Sequence, residues 1–120
     1  MDPTNPVVQL CVQGTQAEYA GRPAEAAALY RRAWEVAQDD YEACIAAHYV
    51  ARFQATPEEA LRWNLEALRR AEAVDGERVR DFFPSLYVNL GRACEVLGRA
   101  AEAQRYYRLA EELGLTHAEE

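Results

Sequence analysis

Lysine is missing from the chain: all thirteen basic residues are arginine, against twenty Asp and Glu, for a formal charge of -7 over 120 residues. Schiff-base chemistry, which needs a lysine amine, is excluded. A nucleic-acid partner is disfavoured too, because that affinity comes largely from clustered cations that release counterions. Methionine occurs only as Met1, and no apolar run approaches the about 20 residues of a membrane span. The opening Met1-Asp2-Pro3-Thr4-Asn5-Pro6 has neither the basic start nor the apolar stretch of a secretory signal. These features lead to the expectation of a cytoplasmic protein without a membrane partner. The three cysteines, Cys11, Cys44 and Cys94, are odd in number, far apart and contain no C-x-x-C pair. Neither a disulfide framework nor a metal site is implied, and no cofactor is called for. Histidine is scarce as well, with only His48 and His117.

What the chain does have is internal repetition. Gly14-Thr15-Gln16-Ala17-Glu18-Tyr19-Ala20-Gly21 aligns without gaps on Gly91-Arg92-Ala93-Cys94-Glu95-Val96-Leu97-Gly98. At the same offset of 77, Ala26, Tyr30 and Ala33 meet Ala103, Tyr107 and Ala110. Between these two copies, Ala60 and Ala67 stand 34 residues after Ala26 and Ala33, the period of a repeated helix-turn-helix unit. Small residues at Gly14, Ala26, Gly91 and Ala103 let paired helices approach closely, while Tyr30 and Tyr107 fill the space beside the contact. Gly21 and Gly98 are placed to end a helix in the left-handed conformation. Asn5-Pro6 and Thr56-Pro57-Glu58-Glu59 are helix starts, each a cap followed by Pro at the first position. Helices are predicted at roughly 6–20, 24–37, 41–54, 57–74, 78–97 and 100–113.

The pattern resembles the tetratricopeptide repeat, whose W-x-x-L-G-x-x-Y, Ala, aromatic order is matched best by Tyr87, Leu90, Gly91, Cys94, Ala103, Tyr107 and Ala110. The first copy keeps Leu10, Gly14, Ala17, Ala26, Tyr30 and Ala33. In the second, Cys44, Ala47, His48, Ala51 and Asn64 replace the W, L, G, Y and aromatic slots. The closing Pro of the family is missing throughout, with Gln38, Glu72 and Leu115 in its place. The resemblance implies an all-α right-handed superhelix, a solenoid of three hairpins forming a single domain over 1–120. The repeats run over about 7–40, 41–74 and 84–117, with an insertion at 75–83. That insertion makes the second-to-third spacing 43 residues, as in the lengthened repeats of kinesin light chains and bacterial peptide-sensing members. Helix with a bend at Pro84 is the preferred conformation for it, and a short ordered loop packed on the core is the alternative. On the last helix Gln104, Arg108 and Glu111 stand where earlier copies have apolar residues, as a terminal repeat that closes the array requires.

Function in such a fold sits in the concave groove lined by the first helix of each hairpin. The repeat offsets place Tyr19, Tyr49, Arg52, Phe53, Asn89 and Arg92 there, aromatic anchors beside donors suited to a carboxylate. The implied protein is a protein- or peptide-binding adaptor, whose unidentified partner carries an acidic group. A sensor of a small effector or signalling peptide is the second reading, and an enzyme the distant third. Bland alternatives exist for the same residues. Arg52 stands in one column with Glu18 and Glu95 and suits an internal ion-pair ladder, while Tyr49 and Phe53 suit packing between repeats. Chaperone-binding members use a Lys- and Asn-based carboxylate clamp, which Cys11, Val12, Ala46, Ser85 and Asn89 do not reproduce. His48 opposite Asn64 reads as a size exchange across the hairpin, the two joined by a hydrogen bond. Cys44 lies one turn from His48, but nothing identifies a group to orient the base or an oxyanion site, so no catalytic residue is assigned. The expected assembly is a monomer or a closed homodimer through the N-terminal helix, whose Val7, Val8 and Cys11 lack a preceding repeat.

Overall fold

The cap signals in the sequence fix where the helices begin. In the computed structural model, which describes residues 2–74 and 76–114, the Asn5 side chain accepts from the Val7 and Val8 amides at 2.8 and 3.2 Å and starts α1 (Pro6–Tyr19). Asp39 accepts from the Glu42 amide at 2.8 Å at the head of α3 (Asp40–Val50). Thr56 does the same for the Glu59 amide at 3.1 Å ahead of α4 (Pro57–Glu72). The remaining helices are α2 (Pro23–Val36), α5 (Phe83–Val96) and α6 (Ala100–Glu112), and the described residues contain no strand.

Gly21 and Gly98, at φ +76° and +75°, end α1 and α5 with the same pair of hydrogen bonds. The Gly21 amide reaches the Glu18 carbonyl and the Arg22 amide that of Ala17; Gly98 and Arg99 do likewise to Glu95 and Cys94. This double closure is the Schellman arrangement. The second copy has no glycine for it. α3 accordingly stops at Val50, four residues before the expected end, and the Gln54 side-chain amide caps the Val50 carbonyl at 2.9 Å.

Each helix packs on its successor, α1 on α2, α3 on α4 and α5 on α6 within pairs, α2 on α3 and α4 on α5 between them, and α1 also on α3. The molecule is thus all-α and built as three helical pairs. Its radius of gyration, 14.0 Å, is close to the roughly 14 Å of any globular chain of this length. A short stack of hairpins and an ordinary helical globule have the same outline at this size.

Three expectations need correction. The 75–83 segment does not lengthen the adjoining helices: Gly76–Arg78 and Arg80–Phe82 form two separate 3-10 turns, and α5 begins only at Phe83. Proline has no amide hydrogen to donate, so Pro84 is accommodated in the first turn of α5, where that hydrogen would have no helical acceptor, instead of bending a longer helix. The turns are packed, with Val79 fully buried among Cys44, Ala47, Ala67, Ala71 and Leu86, and Phe82 stacked on Tyr41 at 6.2 Å. Second, Val7, Val8 and Cys11 are only 1, 5 and 3% exposed, so the apolar patch invoked for an N-terminal dimer is already covered within the chain. Third, the His48–Asn64 hydrogen bond gives way to two others, described below. Leu115 and His117 lie outside the described residues, and Gln104, Arg108 and Glu111 are exposed as expected.

Candidate functional site

The first and third pairs are built around one device, a tyrosine ring laid across a glycine. A Cβ added to Gly14 would stand 2.3 Å from Tyr30 Cε1, and one added to Gly91 would stand 2.4 Å from Tyr107 Cε1. The Tyr30 hydroxyl donates to Glu18 and that of Tyr107 to Glu95. Burial, reinforced by the carboxylate acceptor, pushes both phenols up to about 12. Tyr30 then stacks on Tyr49 and Phe53 of the following pair, with ring centroids at 5.1 and 6.2 Å.

The equivalent space between the second and third pairs is open. Asn64 stands where Tyr30 and Tyr107 stand, and His48 where Gly14 and Gly91 stand. The Asn64 amide turns back on its own helix and donates to the Ala60 carbonyl at 3.0 Å. The result is a cleft of about 420 Å³ whose polar lining is His48, Arg52, Asn64, Asn89 and Arg92, with Ala51, Ala60, Ala93 and Val96 between. By the repeat register, Arg92 and Val96 are the counterparts of Tyr49 and Phe53. The two repeat positions that grip a ring in the first interface thus flank a polar gap in the second, where they hold Arg92 and Val96.

The electrostatics of the cleft follow from three contacts. Arg52, just past the end of α3, donates through Nε and Nη2 to the two Glu18 oxygens at 2.9 and 2.8 Å, while its side chain stays 53% exposed. That bidentate pair holds Glu18 below the ordinary carboxylate range. A guanidinium has five N–H groups, so two bonds to Glu18 leave donors for the cleft. An amide nitrogen only donates; Asn89 Nδ2, 3.3 Å from His48 Nδ1, therefore holds that ring nitrogen as an acceptor. Burial, and secondarily the positive Arg52, keep His48 below the usual imidazole range, hence neutral. Lined by two guanidiniums and two amides, the cleft is suited to receive an anion or a carbonyl-rich backbone.

Of the six groove residues expected from the sequence, the structure brings Arg52, Asn89 and Arg92 together here. Tyr19 is 89% exposed and belongs to neither the cleft nor the core. Tyr49 and Phe53 are half-buried against Tyr30, where they join the first and second pairs, the packing role weighed for them above. The ladder reading holds for Arg52 and Glu18, whereas Glu95 accepts from Tyr107. His48 and Asn64 were missed as site residues, and the signal for them was their departure from the Gly and Tyr slots of the other two copies. Cys44 is 1% exposed and burial pushes its thiol up to about 12, which keeps it a neutral packing group beside His48 and not a thiolate nucleophile. The described residues contain no cluster of His, Cys, Asp and Glu that would hold a metal ion, and none of their helices is long and apolar enough to cross a membrane. No family model matches the chain, and no curated protein or solved structure is similar enough to count as a match.

Proposed function

We propose that the chain is a tetratricopeptide-like interaction module, a short solenoid that holds a peptide or protein segment through an acidic group at the cleft between its second and third hairpins. The observation that supports this reading is the missing tyrosine. Where the other hairpins close their interface with a ring bonded to a glutamate, this interface substitutes donors and leaves space. Leaving a packing site unfilled costs stability, and a partner that fills it recovers the contacts. The chain acts as an adaptor in this reading, with binding as its output.

The reading is tested by screening the purified chain against an array of random heptapeptides, in parallel with an Asn89→Ala, Arg92→Gln variant. Selected sequences are expected to be enriched in Asp, Glu or a free C-terminal carboxylate, and the variant is expected to lose that enrichment. Enrichment of basic or wholly apolar peptides, or equal binding by the variant, would overturn it.

A further inference from the structure

The polar cleft is one end of a longer seam between α3 and α5. A second cavity of about 110 Å³ lies along the same two helices, lined by Cys44, Ile45, His48, Tyr49, Phe82, Ser85 and Leu86. On α5 the lining advances from Ser85 and Leu86 in this cavity to Asn89, Arg92 and Val96 in the cleft; along α3 it advances from Cys44 and Ile45 to Ala51 and Arg52 just past the helix end. His48 is the shared wall. One end is therefore apolar and the other cationic, and the second 3-10 turn of the 75–83 segment supplies Phe82 to the apolar end. This is what that packed insertion adds to the surface.

The spacing limits what fits both cavities. Moving along α5 from Leu86 to Arg92 covers roughly 9 Å at 1.5 Å per residue. An extended strand spans that distance in two to three residues. An apolar cavity of 110 Å³ suits a single aliphatic side chain, and His48, held neutral, separates it from the charged end without repelling it.

Resting on the interaction-module reading above, we propose that the seam takes an extended peptide segment of one chemistry: an aliphatic side chain in the Cys44–Phe82–Leu86 cavity and a carboxylate at Arg52 and Arg92, two to three residues apart. The aliphatic group supplies most of the affinity by burial, and the carboxylate fixes the register.

The test titrates the full-length ¹⁵N-labelled chain with capped peptides, acetyl-Leu-Ala-Ala-Glu-amide and its reverse order, and follows amide shifts. The better order is expected to move the amides of Ile45 and Leu86 together with those of Asn89 and Arg92. Replacing its Leu with Ala should weaken binding about tenfold or more, the effect of burying one leucine side chain, and replacing its Glu with Gln should also weaken it. A Ser85→Leu variant, which fills the apolar cavity, should abolish the advantage of Leu while leaving the response to acetyl-Ala-Ala-Ala-Glu-amide unchanged. If Glu matters but Leu adds nothing, the two-part seam is wrong and the acidic reading survives. If Leu matters but Glu does not, or no peptide shifts either set of amides, both readings fall. The peptide arms use the natural chain, so they remain decisive even if Ser85→Leu perturbs folding.

Discussion

The first and third helical pairs differ from the second at two facing positions, and the difference shows what the glycine–tyrosine contact does. Gly14 and Gly91 admit a phenol ring against the helix backbone, and the hydroxyl finds a carboxylate one turn along, on Glu18 or Glu95. In the second pair the glycine has become His48 and the tyrosine Asn64. The imidazole meets Asn89 of the third pair, and the short Asn64 amide reaches only its own backbone. Glu18, the acceptor in the first pair, has Arg52 as its counterpart in the second, so the charge at that position reverses. Three changes at one interface convert a closed contact into an open, donor-lined cleft. The same helical pairing persists around it, because the small residues Ala60 and Ala67 are retained from the other two copies.

The sharpest test of this contrast removes each large or polar member. Tyr30→Ala should cost about 3 to 5 kcal/mol, the range for deleting a buried aromatic, because Tyr30 touches Gly14 and also carries the stack onto Tyr49 and Phe53. Asn64→Ala should cost about 1 kcal/mol, the scale of one hydrogen bond. Urea unfolding of the two variants provides the comparison. Equal losses would mean that the second pair is packed as tightly as the first. Next in size is the glycine itself. Gly14→Ala and Gly91→Ala each gain helix propensity but drive a methyl into a ring that cannot retreat, for a net loss of about 1 to 3 kcal/mol. If either melts at or above the temperature of the natural chain, close ring packing is not what selects glycine there.

The sequence made much of this readable, for reasons that can be separated. Helix starts were legible at Asn5-Pro6 and Thr56-Pro57 because capping is local chemistry, decided within four residues. The ends at Gly21 and Gly98 were legible because a positive φ strongly favours glycine. The early end of α3 was not, since it depends on Gln54 reaching back to Val50. The 75–83 segment was misjudged because Val79 is held by tertiary burial against Cys44 and Leu86, which no local pattern reveals. Three of the expected groove residues converge in the cleft because the repeat offset is a geometric constraint. Tyr49 and Phe53 lie outside that cleft, with Tyr49 lining the adjoining apolar cavity instead, because the same offset does not say which way a side chain turns when Tyr30 offers a face to stack on.

A smaller effect is expected when the closed interface is rebuilt in the second pair. His48→Gly with Asn64→Tyr restores the ring-over-glycine geometry and fills the cleft, and should raise stability by about 1 to 2 kcal/mol as a double change. Gly alone adds backbone freedom and a void, and Tyr alone collides with the imidazole, so the singles should be neutral or harmful. The non-additivity measured in a double-mutant cycle is the readout. Additive effects would show that residues 48 and 64 do not share one space. The double variant should also lose acidic-peptide binding, since the introduced phenol ring would occupy the room the ligand needs.

The smallest expected effect is on pH, and it belongs to the second pair alone, because the equivalent positions of the other two are glycine. Burial, aided by Arg52, depresses the His48 pKa below its ordinary value near 6.5, so the folded state prefers the neutral ring that accepts from Asn89. A group whose folded pKa is depressed contributes stability that is present above the unfolded pKa. That contribution is lost as pH falls below about 6.5 toward the folded value, because the unfolded chain then binds a proton that the folded chain refuses. Thermal melts between pH 7.5 and 5 should therefore decline with acid in the natural chain. His48→Gln keeps an acceptor near Asn89 without the titration, and its melting temperature should be flatter over the same interval. A separate decline below about pH 4.5, where Glu18 and Glu66 lose the benefit of their arginine partners, should remain in both. If the natural chain and His48→Gln follow one curve from pH 7.5 to 5, His48 is not held neutral by the fold, and its hydrogen bond to Asn89 would have to be redrawn with the ring as donor.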